Sequence, residues 1–454
     1  MSNNNATVLI ENNEIQFVGL THYVSPTFFS TNQPNHRLFS TFVASLLIHF
    51  TMKQHLTLIT LLLLAFSAMA QNPKPQPLTQ EEFEALCPTP PMGWNSWNKF
   101  GCNVSEQLLM EAADAMVASG MKDAGYKYIV VDDCWQVDRD TDGNIVCDPE
   151  RFPHGMKYVA DYIHSKGLKF GLYSCVGTHT CAGRPGSMGH EYQDAIYYAR
   201  NGVDYLKYDF CNNRGTNSKT AYTVMREALK EAGRPIVFSI CEWGSTQPWE
   251  WAQGIGHLWR ATGDIINTWD GREDWGGHGM VNIIDLVQDL YPYNGPGHWN
   301  DPDMLEVGNG GMTTIEDQSH FSMWCMLAAP LMAGNDLNNM SDDTKSILTN
   351  KDVIAIDQDP LGIQAHLSVA MGDRQIWVKQ LANDEWAVCF FNRGNNEWNL
   401  NFNWNDIPEL RNAGGNFSVY DLWQHKNIAK LTIKNVVSNI PSHGVLMVRL
   451  TPVK

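Results

Sequence analysis

The chain has 454 residues, a formal net charge of −17 and 43% hydrophobic residues. That apolar content supports a large core and excludes an intrinsically disordered protein, while the length fits one large domain plus a smaller one. The acidic balance and the lack of any Lys/Arg-rich run exclude the electrostatic footprint of a nucleic-acid-binding protein.

In chain order, residues 1–51 are polar and Asn-rich with no sustained period, and the expectation is a mis-assigned upstream extension before a true start at Met52. Met52 and Lys53 open a secretory signal. An apolar run over 56–66 and the stretch Ala68-Met69-Ala70 supply its core and cleavage site, so residues 52–70 are predicted to be removed on export to the periplasm or the medium. The run is far shorter than the ~20 apolar residues a membrane span needs, so no span is predicted. Residues 71–87 are Pro- and Gln-rich and read as a linker. Export permits disulfides among the ten cysteines, although spacing alone fixes no connectivity. Cys241 and Cys325 lie in apolar runs and read as buried thiols.

From residue 89 onward, short apolar strands alternate with amphipathic helices, the pattern of βα units and a parallel sheet. Strands are predicted over 92–97, 126–135, 169–174, 205–211, 236–241, 257–262, 298–305 and 331–334. The first helix carries Leu109, Ala112, Ala113, Met116 and Val117 at i, i+3, i+4, i+7 and i+8; others are predicted over 154–166, 191–201, 218–232, 281–290 and 316–328. The continuous core Tyr128-Ile129-Val130-Val131 is what a strand buried on both faces requires. Eight such strands within residues 88–362 predict an α/β domain, a (β/α)8 TIM barrel, whose reactive groups lie at the C-terminal strand ends.

Acids recur at those ends. Asp132 and Asp133 close the second strand, Asp209 the fourth and Glu242 the fifth; Asp264 follows the sixth, and Asp301 and Asp303 fall in the seventh. Any one of them alone reads as a helix cap or an ion pair, and the Lys207-Tyr208-Asp209 stretch alone reads as a strand-end ion pair. Seven at corresponding ends are harder to dismiss, because each would carry a desolvation cost at the same mouth. With Lys207, Arg260 and several Trp, they point to a pocket for a neutral polyhydroxylated ligand.

The stretches PPMGWNSW (90–97), VVDDCW (130–135), LYSCVGTHTCAGRPGS (172–187), YLKYDFC (205–211), CEWG (241–244), WRATGDI (259–265) and WNDPDML (299–305) together resemble glycoside hydrolase family 27, the α-galactosidases. The resemblance implies retaining hydrolysis of terminal α-D-galactosides on oligosaccharides or polysaccharides, with no metal and no organic cofactor. Carried over residue by residue, it makes Asp209 the nucleophile and Asp264 the general acid/base. Retaining chemistry sets two carboxyl groups about 5 to 5.5 Å apart. Lys207, on the same strand face as Asp209, suits an ionised nucleophile, and Asp264 is expected to gain a raised pKa once Asp209 and the bound sugar crowd it. The resemblance assigns the outer hydroxyls to Asp132 and Asp133, ring hydroxyls to Lys207 and Asp303, the 2-hydroxyl side to Arg260, and the apolar ring face to Trp94 and Tyr173. It places Cys211 and Glu242 at the sugar as well, and Asn300 and Asp301 behind it. It also implies the disulfides Cys102–Cys134 and Cys181–Cys211, and no partner for Cys87, Cys147 or Cys175. Successive strand residues face opposite ways, so Asp132 and Asp133 can both reach a pocket only if the strand breaks there.

Within the family, β-L-arabinopyranosidase and α-N-acetylgalactosaminidase are the competing activities; Asp at both 132 and 133 disfavours the first and Glu242 the second. A non-catalytic sugar-binding barrel would lack Asp209 or Asp264, and both are present. Residues 138–143 copy the start of a calcium loop, but Pro149 stands where a bidentate Glu is required, and 141–144 read as a hairpin turn. Residues 363–454 carry short β-branched or aromatic segments at 375–380, 385–391, 398–404, 417–422, 428–433 and 444–450, which predict a C-terminal antiparallel β-sandwich with a structural role. Trp398, Trp404 and Trp423 are expected to pack its core rather than bind sugar.

Overall fold

The computed structural model describes residues 76–412, 417–429 and 435–453, together with a pairing of Ile10–Glu11 with Glu14–Ile15. The predicted signal peptide, and the upstream extension apart from that pairing, lie outside the described residues.

Eight parallel strands form the larger layer: β1 (Met92–Asn95), β2 (Tyr128–Val130), β3 (Lys169–Cys175), β4 (Tyr205–Asp209), β5 (Val237–Cys241), β6 (Leu258–Arg260), β7 (Trp299–Asp301) and β8 (Leu331–Ala333). Their order is β7-β6-β5-β4-β3-β2-β1-β8. Just past β7 the chain closes the ring: the Leu305 N–H donates to the Met332 carbonyl and the Gly334 N–H to the Leu305 carbonyl, bridging Leu305 to Ala333. The expected (β/α)8 barrel is the fold observed.

Several strands are shorter than predicted because carboxylates intercept the backbone at their ends. Asp132 Oδ1 accepts from the Asp133 N–H and Asp133 Oδ1 from the Cys134 N–H; Asp301 and Asp303 do the same after β7. Such local side-chain acceptors compete with the ladder for N–H donors.

The crossover helices are α2 (Glu106–Ala118), α3 (Gly155–Ser165), α4 (Glu191–Arg200), α5 (Ser218–Glu231), α6 (Met280–Val287) and α7 (Thr314–Met326), preceded by the short α1 (Gln80–Glu84). Helix α2 is capped by Ser105, whose hydroxyl accepts from the Leu108 N–H, and it buries Leu109, Ala112, Ala113 and Met116. A 3-10 turn at Pro248–Glu250, rather than a full helix, follows β5. Helix α1 corrects the linker expectation. A Thr79/Glu82 capping box starts it, Phe83 is buried, and the Phe83 carbonyl accepts from His257 Nε2 at 2.7 Å. Residues 80–87 therefore pack on the barrel at the starts of β6 and β7, where the Cys87 carbonyl accepts from Trp299 Nε1.

After β8 come two short helices, α8 (Asp342–Leu348) and α9 (Lys351–Asp357), and then β9 (His366–Met371), β10 (Arg374–Gln380), β11 (Trp386–Asn392), β12 (Trp398–Asn403), β13 (Phe417–Asp421), β14 (Lys426–Ala429), β15 (Asn435–Ile440) and β16 (Val445–Pro452). They build an antiparallel sheet β9-β10-β11-β16-β13-β14 and a pair β12-β15. Trp398 and Trp404 are buried between them with Phe390, and the Trp423 indole donates to Ser322 of α7, so all three serve packing.

Candidate active site

A cavity of about 800 Å³ opens at the C-terminal ends of the barrel strands. Asp132, Asp133, Asp209, Asp264 and Asp303 all line it, with Tyr173, Lys207, Arg260 and the Cys181–Cys211 disulfide. Asp209 is the last residue of β4 and only 6% exposed. Tyr173 Oη donates to its Oδ2 and the Phe210 N–H to its Oδ1, each at 2.9 Å. Burial nonetheless pushes its pKa up to about 6, against the pull of Lys207 and those hydrogen bonds.

Lys207 does not pair with Asp209 directly. Its Nζ donates to Asp132 Oδ2 at 2.9 Å, and that oxygen also accepts from Asn95 Nδ2. Burial works against the ammonium, but Asp132 foremost, with Asp209 and Asp303, holds the Lys207 pKa well above its ordinary value. Arg260 has a similar double role: its guanidinium lies 2.9 Å from both Asp264 Oδ1 and Asp303 Oδ2. For Asp264, burial raises the pKa but Arg260 outweighs it and holds the carboxyl below the ordinary value. This is opposite to the direction expected for the sugar-bound site. The Asp264 side chain is 46% exposed and lines the cavity.

The strand break that Asp132 and Asp133 require is present. Strand β2 ends at Val130 and Cys134 adopts a left-handed φ of 77°, tied by its disulfide to Cys102. Asp133 Oδ2 then accepts from the Ala182 N–H, and burial raises its pKa. Asp303 also sits at positive φ, with its Oδ2 accepting from the Ile265 N–H next to Asp264.

A family model described as Alpha galactosidase A matches residues 89–359, and one described as Alpha galactosidase C-terminal beta sandwich domain matches 371–450. The chain belongs to glycoside hydrolase family 27. It is 50% identical over 408 residues to Alpha-galactosidase A of Cellvibrio japonicus, covering 87% of this chain and 98% of that one. It is 46% identical to the Alpha-galactosidase of Cyamopsis tetragonoloba, covering 80% of this chain and 86% of that protein. Among solved structures, alpha-galactosidase I from Mortierella vinacea superposes with a TM-score of 0.78 at 38% identity, covering 81% and 98% of the two chains. The Saccharomyces cerevisiae enzyme solved with raffinose gives 0.76 at 34% identity, covering 81% and 98%.

Two residues assigned to the sugar by resemblance to family 27 do not line the cavity. Trp94 is fully buried, with its Nε1 donating to the Asn335 carbonyl at 2.7 Å. Glu242 is fully buried as well, its Oε2 accepting from the N–H and the hydroxyl of Thr246, while its neighbours Cys241 and Trp243 face the cavity. Strand β5 ends at Cys241 and Trp243 takes a left-handed φ of 58°, so the chain turns there and points Glu242 away from the cavity. Asn300 and Asp301 stay outside the main cavity, as expected. Residues the sequence reading missed are Trp97, Asn98, Trp243, Trp275, Glu306 and Asn309. Trp97 and Trp243 each lie two residues past a strand end, which was the available signal, whereas Trp275 lies far along the loop after β6. Glu306 had none: it is clamped by Asn98 Nδ2 and Asn309 Nδ2, and burial pushes its pKa up to about 7. The calcium-like residues 138–143 form the turn of a hairpin between Gln136–Arg139 and Ile145–Cys147, with the Asp140 carboxylate accepting from the Asp142 N–H and from both nitrogens of Asn144.

Proposed function

We propose that the chain is an exported, retaining exo-α-galactosidase that works by double displacement, with Asp209 as nucleophile and Asp264 as acid/base. The observation that carries the reading is the convergence of Asp209 and Asp264 on one cavity, flanked by Asp132, Asp133, Lys207, Arg260 and Asp303. In the first step an Asp209 oxygen attacks the anomeric carbon. The glycosidic bond breaks, and its oxygen takes the proton of Asp264 and departs as the alcohol. Bound sugar displaces water from around Asp264, and the charge of Asp209 then favours its protonated form. Once Asp209 is esterified its charge is gone, so Asp264 becomes the stronger acid and the better-ionised base. It takes a proton from water, whose oxygen attacks the anomeric carbon and frees Asp209.

Asp132, oriented by Lys207 and Asn95, and Asp133, oriented by the Ala182 N–H, support hydroxyl recognition at the closed end, where galactose carries its O4 and O6. No step calls on a metal or an organic cofactor. Residues 52–70 and the two disulfides support export. The test pairs aryl α-D-galactoside with aryl β-L-arabinopyranoside on the mature chain, with Asp209→Ala as control. The galactoside should turn over faster and the variant should be inactive. Faster arabinoside turnover overturns the substrate, and an active variant overturns the mechanism.

A further inference from the structure

The general acid sits on a loop that also carries an exposed tryptophan. Asp264, Ile265, Ile266, Asn267, Trp275 and Gly276 form one wall of the cavity. The loop is pinned at its base: the His278 N–H donates to the Asp264 carbonyl and the Ile266 N–H to the His278 carbonyl, both at 2.9 Å. Trp275 therefore keeps a fixed relation to Asp264 although it is 63% exposed. Its indole is also braced. A Cβ built on Gly277 would lie 2.6 Å from Trp275 Cζ2 and 2.8 Å from Ile266 Cγ2, so only glycine lets the ring rest against the backbone there.

We propose that Trp275 is the stacking platform for the leaving-group sugar, the unit from which galactose is cut; this rests on the α-galactosidase reading above. The acid delivers its proton to the leaving oxygen, so the leaving group emerges beside Asp264 and meets the next surface on the same loop. An indole held on one side and open on the other suits the C–H face of a sugar ring.

The test compares α-D-galactosyl-(1→6)-glucose with α-D-galactosyl fluoride, whose leaving group has no ring. Trp275→Ala should lower kcat/KM about tenfold on the disaccharide, mainly through KM, and less than twofold on the fluoride, with Trp275→Phe recovering most of the loss. Gly277→Ala should reproduce the same split by displacing the indole. Equal losses on both substrates would mark Trp275 as a loop support and overturn the proposal, as would an undiminished disaccharide rate. A wild-type chain inactive on the fluoride would overturn the α-galactosidase reading itself.

Discussion

Asp209 is a carboxylate placed where its charge is expensive. Its folded pKa of about 6 lies above the ordinary 3.8, so between about pH 4 and 6 the folded site keeps a proton that the unfolded chain has released. A raised carboxyl pKa means that this group's contribution to stability is lost as pH rises through that window. The penalty at pH 7 is about 2 to 3 kcal/mol, from roughly two pKa units at about 1.4 kcal/mol each. Asp209→Asn should therefore be inactive yet melt at a higher temperature than the parent at pH 7, with the gain disappearing near pH 4. A gain of the same size at both pH values would show that ionisation is not its cause. The strain belongs to function, as expected of a site that trades stability for reactivity. At this scale the sequence made the acids legible, because their spacing matched strand ends. It could not show their partners: Lys207 pairs with Asp132, 75 residues away, and Trp94 and Glu242 are turned from the cavity by Asn335 and Thr246.

The elements follow the same logic. Periodicity found every barrel strand and placed the six crossover helices, because burial on one stripe or both faces leaves a pattern. It overran the ends of β2 and β7, where aspartates take backbone N–H groups that the ladder would otherwise use. It also took α1 for a linker, since a five-residue helix with one buried Phe has no period to read. The loop between β3 and α4 depends on covalent and steric fitting together. A Cβ on Gly177 would lie 2.0 Å from the Cys211 carbonyl oxygen, so the loop lies directly on the chain after β4. The disulfide that joins them spans 30 residues and places Cys181 Sγ 3.3 Å from Asp209 Oδ2. Closing a loop of that length is worth about 3 to 4 kcal/mol through the unfolded state. The double change Cys181→Ser with Cys211→Ser should cost about that much in urea unfolding and also lower kcat, because Ala182, which holds Asp133, rides on the freed segment. An unchanged unfolding midpoint would mean the loop is held by packing alone.

At the scale of the molecule, the sandwich is a buttress for the helix that backs the site. Helix α7 donates Trp324 Nε1 to the Asp303 carbonyl, and on its far side it receives Trp423 and Lys379 from the sandwich. Lys379 is buried on β10 with its Nζ donating to the Cys325 carbonyl at 3.2 Å. Asp357, at the end of α9, is buried too; one oxygen accepts from Gln358 and the other has no hydrogen-bond partner. Burial works against both charges, lifting the carboxyl and depressing the amine, and each group counters that shift in the other. The two domains are thus coupled through two buried ionisable groups, each of which shifts the titration of the other. Lys379→Met should destabilise the chain mainly above about pH 8, where the Asp357 carboxyl, pushed up to about 8 by burial, would otherwise ionise against the lysine and now lacks its counter-charge. Adding Asp357→Asn should recover most of that loss in urea unfolding, since no charge then remains to be neutralised. If the double variant is as unstable as Lys379→Met alone, the lysine acts through packing on α7 and not through Asp357.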